Sequence, residues 1–253
     1  MRVNKSCTVN WRNALTAKPI IVVGDRFTAF QRHKSIMGVS EFLESVASLD
    51  SPTKVVLGQG LKEADVERLA VLAAKNNPDL AIEPPLTRVE QTATHKQIAR
   101  NVAISTPVRT ALDCFSAHLL FDEGSELLID HLTGQHIQGL ALVEAARQLW
   151  TAVVELFLRQ GSDPIRLVLD SVSAQFESYV FPLPAEMQLR VLEADTKEVG
   201  LKLSCSVEFR QNDRSCAVVE ARIRSVAAKI AEWQETMSAR EAVKYACTIA
   251  ASH

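Results

Sequence analysis

DHLTGQHIQGLALVEAARQ, residues 130–148, sets two histidines, His131 and His136, in a glycine-punctuated loop that runs into an apolar helix carrying Glu144 and Arg147. On a helix, Glu144, Arg147, Gln148, Thr151, Glu155 and Arg159 follow steps of three and four and share one stripe. Periodicity alone reads that stripe as a wet face, with Glu144 and Arg147 an ordinary pair and Glu155 and Arg159 plain surface near the helix end. Glu144 is set apart by its place, about two turns in, near the end that Gly139 opens. A helix N-terminus exposes backbone N–H groups with partial positive charge, able to polarise a carbonyl or hold an oxyanion. A histidine titrating near neutrality supplies a proton donor or acceptor beside it.

The rest of the chain sets the frame for that motif. It has 253 residues, 47% hydrophobic and 23% charged, enough for one large domain or two small ones with a real core. A net charge of −2 argues against a general nucleic-acid or anionic-membrane binder. The longest apolar stretch, 137–158, is broken by Glu144, Arg147, Gln148 and Glu155, so it is not expected to span a membrane. The polar start MRVNKSCTVNWRN shows no signal peptide, and a cytoplasmic location is expected. The five cysteines are scattered and never spaced CxxC, so neither a disulfide framework nor a metal site is expected. If Asn212-Asp213 turns a hairpin, Cys216 faces Phe209 and not Cys205.

Two regions differ in grammar. In 1–90, PIIVVG (19–24), KVVLG (54–58) and LAIEP read as short strands, and GVSEFLESVASL and KEADVERLAVLAAKN as amphipathic helices. That alternation implies a small α/β, Rossmann-like module with a parallel sheet. Asn76-Asn77-Pro78 stops the second helix, and Pro84-Pro85 marks the boundary. Gly58-Gln59-Gly60 after a strand is only a weak phosphate-loop signal, with no third glycine and no Walker lysine.

Residues 95–230 read as strands NVAIST (101–106) and DCFSAHLLF (113–121), the histidine loop, and one long helix to about Arg159, closed by Gly161 and Pro164. Strand-like runs IRLVLDSVSAQF, EMQLRVLEA, GLKLSCSVEF and CAVVEARIRSV follow, the last two joined by QNDR. A helix apolar nearly all round must be enclosed, so an antiparallel sheet wrapping it gives an α+β fold. Residues 231–253 form a helical tail, with Ser238-Ala-Arg-Glu241 reading as a capping box ahead of AVKYACTIAA.

The DH…H…G…EAARQ segment resembles the signature of the A-factor biosynthesis (AfsA-type) hot-dog family. It is more distantly similar to the β-hydroxyacyl-carrier-protein dehydratases. HKQIARNVAIST and VSAQFESYVFPLPAEMQLRV resemble the strands flanking the helix in such domains. The resemblance covers about residues 95–226 and implies a hot-dog fold: a long central helix wrapped by antiparallel sheet. It implies chemistry on an acyl thioester, β-ketoacyl or β-hydroxyacyl, carried by CoA or by the phosphopantetheine of an acyl-carrier protein, with no further cofactor. Acyl transfer to a hydroxyl acceptor on the way to a butyrolactone-like signal leads. Dehydration and thioester hydrolysis are the alternatives within the fold, and a non-catalytic acyl- or carrier-binding module the alternative outside catalysis.

AfsA-type proteins resemble two hot-dogs in tandem. This chain holds one copy, so a homodimer is expected. The site residues the resemblance implies are Glu144 as general base or orienting carboxylate and His131 or His136 as its acid–base partner. N–H groups near Gly139 would hold the thioester carbonyl. Arg147 and Gln148 would set the position of Glu144, and the loop amides Gln135 and Gln138 would contact substrate. Gln138 stands where these motifs carry proline, and His131 lies one residue closer to Glu144 than in the dehydratases. His136 is therefore an equal candidate.

Overall fold

The computed structural model describes residues 18–49, 53–76, 81–82, 86–131, 133–159, 161, 163–197 and 200–251. The polar N-terminus, the Asn77-Pro78 stop and the Pro84-Pro85 boundary lie outside them. The chain divides into two compact units. One takes in the chain up to Leu86 with Asp122–His136 and Phe181–Pro184; the other takes Thr87–Phe121, Ile137–Val180 and the chain from Ala185.

In the first unit, β1 (Lys18–Val23), β2 (Ile36–Gly38), β3 (Thr53–Leu57) and β4 (Ala81–Ile82) form a parallel sheet in the order β2-β1-β3-β4. The helices α1 (Val39–Ser45) and α2 (Glu63–Asn76) supply Val39, Phe42 and Leu69 to a core with Val22 and Val55. Short β-branched runs form the strands because a strand buried on both faces needs no polar alternation. The ends of β1 and β3 are crowded by backbone. A Cβ on Gly24 would stand 2.3 Å from the Gly60 carbonyl oxygen, and one on Gly58 would stand 2.3 Å from that of Pro182. Gly60, at φ +86°, bridges Asp122, and the buried Gln59 donates its amide to Leu183 O. The Gly58-Gln59-Gly60 turn is therefore a packing joint between chain segments and not a phosphate cradle. The same joints draw Asp122–His136, including the one-turn helix α3 (Glu126–Ile129), into this unit. The 95–230 domain read from sequence thus cedes two segments to its predecessor.

In the second unit, β5 (Val108–Ala111), β6 (Cys114–His118), β7 (Ile165–Phe176), β8 (Glu186–Lys197), β9 (Gly200–Gln211) and β10 (Arg214–Ala227) make an antiparallel sheet in the order β5-β6-β8-β9-β10-β7. Burial alternates along it: Leu203, Cys205, Val207 and Phe209 on β9, and Ala217, Val219, Ala221 and Ile223 on β10, point to the core. The helix α4 (Gly139–Val153) packs on β7 and β8 and buries Ala141, Leu142, Ala145, Ala146, Leu149 and Trp150. This is the helix-and-sheet arrangement that the enclosed apolar helix requires. At its end the helix widens into a π-helical turn, Val154–Leu158, closed by Arg159 N–H donating to Val154 O at 2.8 Å.

Three readings of the sequence change. NVAIST is not a strand: Ala99–Asn101 is a 3-10 turn, and only isolated bridges from Ile104 to Leu119 and Ser105 to Arg88 follow. Side chains take the backbone groups a ladder would have used, since Gln148 binds Ala103 N–H and Asn101 C=O, and Arg88 binds Val102 C=O. The Asn212-Asp213 turn is present with both residues at positive φ, 52° and 60°, as a two-residue hairpin turn requires. A bulge between Ser215 and Ala217, however, puts Ala217 opposite Phe209, with Ala221 opposite Cys205, so Cys216 has neither as its partner. The described cysteines are all free. Finally, α5 (Ala228–Ala250) runs unbroken through Ser238, because AKIAEWQETM offers no stop signal before it, and the capping box is not a helix start.

Candidate active site

The stripe on α4 is not a wet face. Gln148 and Thr151 are buried, at 0% and 1% exposure. Gln148 accepts from Ala103 N–H at 2.8 Å and donates to Asn101 C=O at 2.8 Å and to Glu144 Oε1 at 3.2 Å. Thr151 turns its hydroxyl back onto Arg147 C=O at 2.7 Å. Glu144 sits above them, half-buried and caged by cations. Arg147 grips it side-on, Nε to Oε2 at 2.7 Å and Nη2 to Oε1 at 2.8 Å, and Lys96 Nζ reaches Oε1 at 2.7 Å. Arg147 is itself anchored by donating to Thr94 C=O at 3.1 Å. Burial pushes the Glu144 carboxyl up, but the hydrogen bonds and positive charges of Arg147 and Lys96 outweigh it, leaving the pKa below the ordinary value. Such a carboxylate is ionised and fixed in direction. It holds charge well and takes a proton poorly.

Glu155, expected as plain surface, is part of a second cluster. Its Oε1 lies 3.0 Å from His95 Nε2 and its Oε2 accepts from Arg159 Nη1 at 2.7 Å, with Arg159 also donating to Asp163 C=O. Burial raises the Glu155 carboxyl, but bonding to His95 and Arg159 brings it below the ordinary value. The segment Thr94-His95-Lys96 is thus pinned at Glu144 to α4 and at Glu155 to the π-helical turn that follows. His95, at φ +53°, takes a left-handed turn that places it and Lys96 on successive parts of the stripe.

At the N-terminus of α4, Gln138 adopts an extended conformation and accepts from Ala141 N–H at 3.1 Å and Leu142 N–H at 3.4 Å. Gly139 leaves room for the Phe176 ring: a Cβ there would meet ring carbons at 2.9 Å. The N–H groups of the first turn carry the positive end of the helix dipole, where a carbonyl oxygen is favoured.

His131 and His136 belong to the first unit. Their rings meet edge-on with centroids 5.5 Å apart and planes at 82°. His131 Nε2 is buried without a hydrogen-bond partner, a condition that native structures rarely tolerate without a use. Burial, and the neighbouring charge of His131, lower the pKa of His136. Gln135, in the same loop, pairs its amide with His33 Nε2 at 3.0 Å and is engaged with protein. Among the described residues, no group of three His, Cys, Asp or Glu side chains stands close enough to hold a metal ion. No helix among them is long and apolar enough to cross a membrane.

The description of the A-factor biosynthesis hotdog domain (AfsA) matches residues 79–227, more than half of the chain. The chain belongs to the AfsA hotdog family. No curated protein matches it. Among solved structures, this AfsA chain is similar to a thioesterase from Haemophilus influenzae at 13% identity, covering 54% of this chain and 87% of that one, with a TM-score of 0.42. It is also similar to a mutant thioesterase from Pseudomonas aeruginosa at 12% identity, covering 49% and 81%, TM-score 0.37. A third similarity is to the PaaI protein of the Escherichia coli phenylacetic acid degradation operon, at 11% identity, covering 46% and 79%, TM-score 0.35.

Within the AfsA motif, sequence reasoning found Glu144, Arg147 and Gln148 as a group. It missed Lys96, His95 and Thr94, which lie some fifty residues upstream in a stretch without periodicity. The one available signal was His95-Lys96, a basic pair that opens the region the family resemblance covers.

Proposed function

We propose that the protein is a hot-dog enzyme acting on an acyl thioester, β-ketoacyl or β-hydroxyacyl, presented by CoA or an acyl-carrier protein. The observation that carries the reading is Glu144: an ionised, caged carboxylate two turns into the helix of the AfsA motif. Its cage favours the orienting role over the general base, because Arg147, Lys96 and Gln148 already occupy both oxygens. The first turn of α4 at Gly139 would polarise the thioester carbonyl. His131 and His136 are the acid–base candidates on the motif and on the unmatched His131 nitrogen. Gln148, buried and with both amide protons donated, supports Glu144 from beneath and does not touch substrate.

Acyl transfer to an alcohol and hydrolysis differ only in whose hydroxyl attacks the thioester carbon: an acceptor's or water's. In both, the C–S bond breaks and the thiol leaves with a proton. Incubation with β-ketoacyl and β-hydroxyacyl thioesters, with and without a glycerol-type acceptor and followed by product mass, separates the outcomes. An ester that forms only with acceptor marks a transferase, free acid a thioesterase, and loss of water a dehydratase. Full turnover by Glu144→Gln, His131→Ala and His136→Ala variants alike would refute the assignment.

A homodimer through β7 accompanies this reading. β7 is a twelve-residue edge strand with Leu169, Val172 and Phe176 exposed, the kind of edge that pairs with its own copy about a two-fold axis. Light scattering of the wild type and of Val172→Lys tests it: the wild type should weigh as a dimer and the variant as a monomer.

A further inference from the structure

The histidine loop is held, from one end to the other, by residues that follow β1 and β3. Arg26 reaches both ends of it. Its backbone N–H donates to Glu123 Oε2 at 3.1 Å, and its guanidinium Nη2 donates to the backbone carbonyl of His131 at 3.2 Å. Phe30 N–H donates to Gly134 C=O at 3.1 Å, and His33 meets the Gln135 amide. On the β3 side, Gly60 bridges Asp122 and accepts from Glu123 N–H at 3.3 Å, while Lys62 Nζ pairs with Glu123 Oε1 at 2.7 Å. The fit is close: a Cβ on Gly134 would stand 3.0 Å from Arg26 O and 3.2 Å from Thr28 Oγ1. The loop's own helix, α3, is a single turn and cannot fix the loop by itself.

We propose that the α/β unit is the positioning element for the His131–His136 pair, with Arg26 as its chief positioning residue. The proposal rests on the reading of that pair as the acid–base groups of the thioester reaction, and it assigns a role to residues before position 79, which the hot-dog family match leaves uncovered. Arg26 touches no reacting atom. It sets where the His131 backbone lies, and through it the burial and the edge-on contact with His131 that lower the pKa of His136.

The test uses the full chain with Arg26→Ala, Arg26→Lys and Gly134→Ala. It reads ring-proton NMR titrations, with the His136 signal assigned from the His136→Ala spectrum, beside thermal unfolding and the pH profile of thioester turnover. In the wild type, His136 should titrate below the ordinary histidine value. In Arg26→Ala it should move back up, with kcat falling on the order of 10- to 100-fold and KM little changed. Arg26→Lys, which keeps a charged donor, should restore most of both. Gly134→Ala should reproduce the effect from the other side of the contact and serves if Arg26→Ala fails to fold. An unchanged His136 titration in either folded variant overturns the proposal whatever the turnover does. If instead the titration moves while His131→Ala and His136→Ala keep full turnover, positioning stands and the catalytic reading of the pair falls.

Discussion

Replacing Gln148 by leucine keeps most of the side-chain volume and deletes its amide. Ala103 N–H then loses its acceptor in a fully buried site, at a cost of about 1–3 kcal/mol, and Asn101 C=O loses a donor, about 0.5–1.5 kcal/mol more. The expected loss is therefore about 2–4 kcal/mol, or a Tm lower by roughly 4–16 °C for a unit of this size. Denaturant unfolding gives the free energy and a thermal melt the shift. Gln148→Glu sharpens the test. Its carboxylate could still accept from Ala103 N–H but would face Asn101 C=O and Glu144 Oε1, two acceptors, so at neutral pH it should be worse than leucine. That crowding raises the new carboxyl's pKa in the folded state, and stability should return as pH falls through the raised value. A Gln148→Leu variant within 1 kcal/mol of the wild type would refute the view that this amide ties the 101–103 segment to α4.

Glu144 and Glu155 have folded pKa values below their ordinary ones, so their stabilisation is full above the ordinary carboxylate range and is lost as pH falls through that range and below it. Unfolding free energies from pH 7 to 3 should fall less steeply in a Glu144→Gln/Glu155→Gln double variant; equal slopes would count against both ion clusters. The Cys205 thiol, buried and pushed up to about 12, should stay silent to a thiol reagent until the chain unfolds, whereas the exposed Cys247 should react at once. Asp213→Gly, at a positive-φ turn position, should stabilise the β9–β10 hairpin by about 0.5–1 kcal/mol in denaturant unfolding, since glycine takes that conformation without strain.

What could be read in advance follows how local the signal is. The period-2 burial of β9 and β10 and the Asn212-Asp213 turn lie in neighbouring residues, so the hairpin was legible; the bulge at Cys216 was not, because the unbroken apolar run Cys216–Val219 hides the one-residue shift it makes in the alternation. β2 is three residues long and has no period to show. The α4 stripe was found by spacing but misjudged as wet. Whether Gln148 and Thr151 meet water depends on Asn101–Ala103, which packs there through backbone groups that carry no sequence mark. For the same reason Glu144 was visible and its second cation, Lys96, was not.

The first unit is discontinuous along the chain, and this has a consequence for its birth on the ribosome. Its sheet strands are all synthesised by Ile82, yet Asp122–His136 and Phe181–Pro184 emerge up to roughly a hundred residues later, on the order of 5–20 s at ordinary elongation rates. During that interval the end of β3, where Gly58 meets the Pro182 carbonyl and Gly60 bridges Asp122, stands uncapped. The nascent chain thus carries an unfinished N-terminal third through much of its translation. Slow codons between β4 and β8 should lengthen its exposure to chaperones and proteases, whereas slow codons after Pro184 should not.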